Sequence, residues 1–308
     1  MKMELRGAGT ALVTPFDERG KIDFGAIESL VEWQIAEGTD FLVSCTPEGE
    51  SPALSGDERK AVTAHLVAVA NGRVPVVAGA GGNHTAKSVF WARDAEKAGA
   101  SAILAVNPFY NMPTVDGLAR HFAAICDATR LPVLVSNAPA RTGIDLGVEV
   151  LLRLADLPRV AGLVECSTDF RKIAALLARA PEEFAVFSGD DLTALAGLAL
   201  GMRGTVSLAG NLVPGEMSRL VKAASQDQRE EARSLHRKYA GLMEVLHVET
   251  SPGPAKAALA MMNRCGETLR LPLAPVRDDS RRRIEKTLRG LRLLKDPIRR
   301  SRPSRTGT

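Results

Sequence analysis

Short apolar runs alternate with stretches of helical periodicity along most of this chain. The runs are Thr10–Val13, Phe41–Cys45, Val74–Gly79, Ile103–Val106, Pro132–Ser136, Val160–Val164, Ala185–Ser188 and Thr205–Leu208. A helical pattern follows each one, which calls for parallel strands joined by crossover helices. Eight such units in about 225 residues predict an α/β fold of the (β/α)8 TIM-barrel type. The rival is a doubly wound open sheet, but no Gly-x-Gly-x-x-Gly follows the first run. Helix-start chemistry supports the parse. Ser55-Gly56-Asp57-Glu58 reads as a capping box, Thr114 as an N-cap behind Pro113, and Asn71-Gly72 as a helix stop. From about residue 226 the pattern is helical only, over Asp227–Val248, Pro254–Cys265 and Ser280–Leu294, with a break at Leu271-Pro272-Leu273-Ala274-Pro275. The expected organisation is a barrel over 1–225, a C-terminal helical appendix over 226–296, and a basic, disordered tail over 297–308.

Composition narrows the classes. Of 308 residues, 45% are hydrophobic and 25% charged, the balance of a globular protein with a sizeable core. No run is long and apolar enough for a membrane span, and the N-terminus lacks an apolar signal core, so a cytoplasmic protein without a membrane partner is expected. The net charge of +4 resides in Arg299, Arg300, Arg302 and Arg305. The remaining 36 basic residues match 36 acidic ones, so a nucleic-acid footprint is not indicated. Cys45, Cys126, Cys166 and Cys265 form no Cys-x-x-Cys pair, which speaks against zinc and redox motifs and suits a reducing compartment. Cys45 and Cys166 fall near strand ends, either as small buried hydrophobes or as nucleophiles.

In a barrel of this kind chemistry sits at the C-terminal ends of the strands. The segments there contain Val13-Thr14-Pro15-Phe16, Gly49-Glu50-Ser51, Asn107-Pro108-Phe109-Tyr110-Asn111, Asn137-Ala138-Pro139-Ala140-Arg141-Thr142-Gly143 and Ser188-Gly189-Asp190-Asp191. Thr268-Leu269-Arg270-Leu271-Pro272 follows in the helical region. Together and in this order they make the chain resemble the dihydrodipicolinate synthase / N-acetylneuraminate lyase family of aldolases over roughly residues 7–294. That family includes synthases, lyases and dehydratases. It commonly forms tetramers built as pairs of dimers, so a homo-oligomer, dimer or tetramer, is implied.

The resemblance also implies roles. Arg141 matches an arginine that holds a second carboxylate at the mouth of the site, and Tyr110 a tyrosine that crosses into a neighbouring subunit's site. Gly189, Ser51 and Val206 match positions that line the substrate pocket. Each has a plainer reading too: Arg141 braces the rim, Tyr110 packs an interface, and Asp190-Asp191 caps a helix instead of holding a metal. Three positions depart from the family. The lysine of the sixth strand, which forms the Schiff base with pyruvate, is Val164. The tyrosine ending the fifth strand is Ser136. The Gly-Thr-Thr-Gly-Glu loop that receives the pyruvate carboxylate reads Thr46-Pro47-Glu48-Gly49-Glu50, and Pro47 lacks a backbone N–H.

Glu48 changes the chemistry most. If it is ionised and faces the pocket, a carboxylate about 4 Å away is repelled by about 4 kcal/mol at an effective dielectric near 20, roughly three decades of affinity. Either Glu48 is protonated beside Val164, or the ligand is neutral or cationic there, and in both cases Glu48 becomes the natural acid or base. The plainer reading turns it outward to a surface base. Replacement nucleophiles are not evident, since Lys172, Lys256, Lys60, Lys87 and Lys97 all fall on helices. His84 alone among the histidines follows a strand, His65, His121, His236 and His247 falling on helices, so no metal site is expected. Gly79-Ala80-Gly81-Gly82 lacks the Gly-Lys-Ser/Thr of a phosphate-binding loop. No cofactor is expected. Two functions stay open. One is a lyase acting on a small metabolite, carboxylated or not, without a Schiff base, with Glu48, Ser136 and Tyr110 as the chemistry-bearing residues. The other is a non-catalytic binding or partner subunit that keeps the barrel.

Overall fold

Strand β1 (Gly7–Ala11) lies between β2 (Phe41–Ser44) and β8 (Gly204–Ser207), and the ring closes through β3 (Val76–Gly79), β4 (Ala102–Val106), β5 (Val133–Asn137), β6 (Val160–Glu165) and β7 (Ala185–Ser188). Every pairing is parallel. This computed structural model describes residues 5–294, so the basic tail expected over 297–308 lies outside the described residues. Helices alternate with the strands: α1 (Phe24–Ala36), α2 (Gly56–Ala70), α3 (Thr85–Lys97), α4 (Val115–Asp127), the short α5 (Pro139–Thr142), α6 (Val148–Ala155), α7 (Phe170–Leu177), α8 (Ala194–Ala199) and α9 (Pro214–Ser225). Then follow α10 (Arg229–Val245), α11 (Gly253–Met261) and α12 (Asp278–Gly290). The (β/α)8 barrel with a C-terminal helical addition is therefore the fold.

Side-chain alternation divides the apolar residues into layers. Along β5 and β6, Val133, Val135 and Leu163 pack outward on the helices, while Leu134 and Val164 face the barrel interior. The interior is filled by Ala11, Phe41, Val43, Val77, Leu104, Leu134, Val164, Phe187 and Val206. The two faces differ because successive strand residues point to opposite sides.

Several expected boundaries move, each for a local reason. The first strand is Gly7–Ala11 and not Thr10–Val13, since the amide of Val13 is taken by Asn211 Oδ1 at 3.1 Å. The second stops before Cys45, which turns to φ 55°. The third begins at Val76 and the fifth at Val133, each beyond the proline at Pro75 or Pro132 that cannot donate to a ladder. The eighth ends at Ser207 because the Leu208 amide donates to Asp191 Oδ2. The glycine-rich run after β3 is a packing device: a Cβ on Gly79 would lie 2.1 Å from the Cys45 carbonyl oxygen, and one on Gly81 2.1 Å from the Val106 nitrogen. The Ser55 capping box and the Thr114 cap form as expected, and Asn71 takes the left-handed stop.

The helical addition shares its core with the barrel. Tyr239, Leu242, Leu246, Leu259, Ile284 and Leu288 join Leu12, Phe16, Leu30 and Leu212 in one apolar cluster. α11 is buried along most of its length.

Candidate functional site

The floor at the C-terminal pole is apolar. Val164 is 2% exposed, and its Cα pairs with Ser136 on one side and Phe187 on the other. Paired residues on neighbouring strands share a face, so the Ser136 side chain lies on the same inner face beside Val164. Val206 and Leu134 complete this lining. Two residues beyond Val164, Cys166 packs on the same inner cluster and is partly exposed to the mouth. Gly189, after β7, closes over it: a Cβ there would meet Cys166 Sγ at 2.4 Å and Val164 Cγ1 at 3.1 Å. None of the eight strands carries a lysine.

The loop after β2 is a tight construction. Cys45 and Glu50, both at positive φ, bracket it, and the Gly49 and Ser51 amides donate to the Thr46 carbonyl at 3.0 and 3.1 Å. The Thr14 hydroxyl donates to the Gly49 carbonyl at 2.7 Å. Glu50 is held from beneath by Lys256 Nζ at 2.5 Å and the Arg270 amide at 2.9 Å. Positive φ at a non-glycine residue costs about 1–3 kcal/mol and persists only where neighbours impose it. The buried Lys256–Glu50 pair, both side chains fully inaccessible, is what imposes it here. Glu48, on the crest of this loop, is half-buried and forms no ion pair among the described residues. Its charge acts on Cys166. Burial first, then the negative charges of Glu48, Glu165 and Asp190, push the Cys166 thiol far up, while Arg141 opposes them. The loop that carries Glu48 follows β2, which lies across the barrel from β6. The thiol is thereby kept protonated, which disfavours Cys166 as a nucleophile.

A polar cluster lies on the outer side of the same wall. Glu165, next to Val164 but facing the helices, accepts from the Asn137 side-chain amide at 2.9 Å and pairs with Lys172 at 3.0 Å. Lys172 also pairs with Asp145 at 2.5 Å. Asn137 Nδ2 reaches Asp145 at 2.8 Å, and Asn137 Oδ1 accepts from the Leu146 amide. The cluster fastens β5, β6, α7 and the loop that follows α5. It also commits the Lys172 amine away from the barrel interior.

The other expected residues fall as follows. Arg141 stands on α5 at the rim, exposed, with Nη2 donating to the Ser251 carbonyl at 3.2 Å. Ser251, from the C-terminal region, was not among the expected site residues; only the docking of that region brings it there. Ser51 opens a single 3-10 turn (Ser51–Ala53), and its carbonyl accepts from Arg59. Tyr110 is 91% exposed at φ 71° and is not brought to the floor within this one chain. Asp190 accepts from the Thr193 amide within the turn before α8, while Asp191 accepts from the Leu208 and Ala209 amides beyond β8 and so ties β7 to β8 instead of capping the next helix. His84 caps α3 through the Lys87 amide. Among the described residues no group of three or more His, Cys, Asp and Glu side chains could hold a metal ion. A cavity of about 920 Å³ opens at the opposite pole, lined by Leu5, Arg159, Phe184 and Arg203. It lies at the N-terminal ends of the strands, and of the floor residues only Leu134 lines it.

Barrel, helical addition and strand-end site together define an aldolase-type (β/α)8 protein. The chain belongs to the dihydrodipicolinate synthetase family, whose model matches residues 4–291. It is 48% identical over 294 residues to the 4-hydroxy-tetrahydrodipicolinate synthase of Acidobacterium capsulatum, covering 95% of this chain and 97% of that one. To the enzyme of the same name from Koribacter versatilis it is 46% identical over 285 residues, covering 92% and 95%. The structure of a chloride-inhibited dihydrodipicolinate synthase from Acinetobacter baumannii, complexed with pyruvate, superposes with a TM-score of 0.93 at 35% identity, covering 94% of this chain and all of that one. Among the described residues no helix is long and apolar enough to cross a membrane.

Proposed function

We propose that this chain is a lyase-type member of its family that handles a small carboxylated metabolite in the cytoplasm without forming a lysine Schiff base. The observation that carries the reading is the floor: Val164, buried and apolar, occupies the inner face of β6, and no strand offers an amine. Two further lysines near the site support it, because the Lys172 and Lys256 amines are spent in buried ion pairs. Glu48 then serves as general acid or base, Ser136 as a hydrogen-bond partner to the reacting group, and Arg141 as the anchor for a carboxylate. Gly189 and Val206 shape the floor, and Ser51 supports the loop. Four unpaired thiols accord with a reducing compartment.

The exposed Tyr110, with Met112 and Val115 beside it, forms an apolar patch suited to a second copy, which would bring Tyr110 to a neighbouring site. A monomer by light scattering would remove that contact.

The reading is tested by incubating the intact protein with pyruvate and borohydride and weighing it. No covalent pyruvyl mass is expected; an adduct overturns the reading. With a turned-over substrate in hand, Glu48→Gln should abolish turnover while substrate still binds. Unchanged turnover would remove Glu48 from its role.

A further inference from the structure

The N-terminal pole of the barrel is hollow, and the strands themselves give the reason. The interior cluster begins on β4, β6 and β7 with Ala102, Ala161 and Ala185. Barrel interiors are ordinarily filled layer by layer with bulky branched side chains. Here three strands supply one methyl group each, and the next inward residues, Leu104, Val164 and Phe187, are already buried in the same cluster. The space left at the pole is the cavity of about 920 Å³, which the three alanines line together with Leu5, Leu134 and Phe184. Small-molecule pockets ordinarily measure roughly 300–1,000 Å³.

The rim of this hollow is charged. Arg159 and Arg203 line it, each one residue ahead of a strand, β6 and β8. Their main chains are fixed: the Arg159 carbonyl accepts from the Val133 amide at 2.7 Å, and the Arg203 amide donates to the Val186 carbonyl at 2.8 Å. Their guanidinium groups meet only neutral carbonyls, that of Cys126 for Arg159 at 3.1 Å and that of Glu182 for Arg203. Neither has an ion pair among the described residues. Arg130, Glu182 and Glu183 share the rim. Arg130 is paired with Glu96 at 2.8 Å, and Glu183 has an interaction of its own. Two arginines against Glu182 leave one positive charge in excess.

From an alanine-lined hollow beside two guanidinium groups with no ion-pair partner, we infer a second binding site, for an amphipathic anion: a carboxylate or sulfonate carried on an aliphatic or aromatic body. The body fills the hollow, and the head group takes the planar N–H forks of Arg159 and Arg203, whose geometry matches a carboxylate. Bare phosphate leaves the hollow empty, and a hydrocarbon leaves the arginines unmatched. The site serves recognition alone, with no bond made or broken. It stands at the opposite pole from the mouth and does not depend on the reading of Val164.

The test uses two matched fluorescent probes on the full-length protein: anilinonaphthalene sulfonate, and phenylnaphthylamine, which is the same body without the sulfonate. The sulfonate should bind saturably and about ten- to a hundredfold tighter than the amine, the worth of one hydrogen bond to a charged group. Decanoate should displace it. Arg159→Asn, chosen because asparagine tolerates the positive φ of 72° there, and Arg203→Gln should each weaken the sulfonate about tenfold and leave the amine unchanged. Glu182→Gln should tighten the sulfonate by removing a like charge. Ala161→Phe should weaken both probes by filling the hollow. A thermal transition matching the parent's shows that each variant is folded, and if Ala161→Phe fails that check the three charge variants decide. No saturable sulfonate binding, equal affinity for the two probes, or affinities unmoved by these substitutions would each overturn the proposal.

Discussion

Val164, Cys166 and Gly189 pack closely at the mouth. The glycine is there for space and not for backbone freedom, because its would-be Cβ lies 2.4 Å from the Cys166 sulfur. Gly189→Ala should therefore cost about 1–3 kcal/mol through overpacking. Adding Cys166→Ala should recover part of that loss, since it deletes the atom in the way. Denaturant midpoints of the three proteins check this, and equal midpoints for the single and double variants would show that the clash relaxes elsewhere. The sequence presents Val164 plainly as an apolar residue in an apolar run. It does not show that Cys166 shares the same face, because the strand ends between them and the alternation must be carried past Glu165 into the loop.

At the scale of elements, the Lys172 cluster joins β5, β6, α7 and the segment around Asp145. Removing its only cation leaves Glu165, 1% exposed, beside Asp145 with no counter-charge. Lys172→Met should lower stability by about 3–5 kcal/mol, the usual result of breaking a buried pair. Acid sensitivity should change as well. Burial pushes the Asp145 carboxyl up, but the Asn137 amide and the Lys172 ammonium outweigh it and hold the group below its ordinary value. A depressed carboxyl stabilises the fold above its unfolded pKa of about 3.9, and that stability is lost as pH falls through the folded value. The parent should thus lose stability between about pH 4 and the depressed value, and Lys172→Met should lose less there. Denaturant titrations across that range read the difference, and parallel acid limbs would count against the account. Lys172 was legible as a lysine one turn into a helix. Its partners lie seven and twenty-seven positions away in the chain, brought to it by the pairing of β5 with β6 and the packing of α7.

For the whole molecule, the decisive contact is Lys256–Glu50, which spans 206 positions and ties α11 to the loop that carries Glu48. Phe16 lies between Lys256 and Arg270, stacked under both cations at 4.1 and 4.4 Å. Arg270 in turn grips Glu58 with two bonds of 2.6 and 2.8 Å, holding that carboxyl at about 2. Barrel and helical addition should consequently unfold as one unit. Far-ultraviolet circular dichroism and the fluorescence of Trp33, which Arg264 of the addition covers at 3.8 Å, should report coincident transitions. Lys256→Met should lower the common midpoint, by about 3–5 kcal/mol of stability, because Glu50 is left buried and unpaired. Two separated transitions in the parent would instead mark the 226 boundary as a true domain border.

Chain order, period and caps were enough to establish the barrel and its helical addition. A strand or amphipathic helix is encoded by neighbours within a dozen residues, and eight repeats of one unit leave few topologies to choose among. The same string showed that the sixth strand offers no amine and that an acid stands in the loop after the second. It left open what neutralises Lys172 and Lys256, and that Ser251 braces Arg141. Those depend on pairs separated by seven to two hundred and six positions, set by strand pairing and docking of the last helices. Charge and space at the mouth are properties of that assembly, because burial and distance arise only when distant segments share one core.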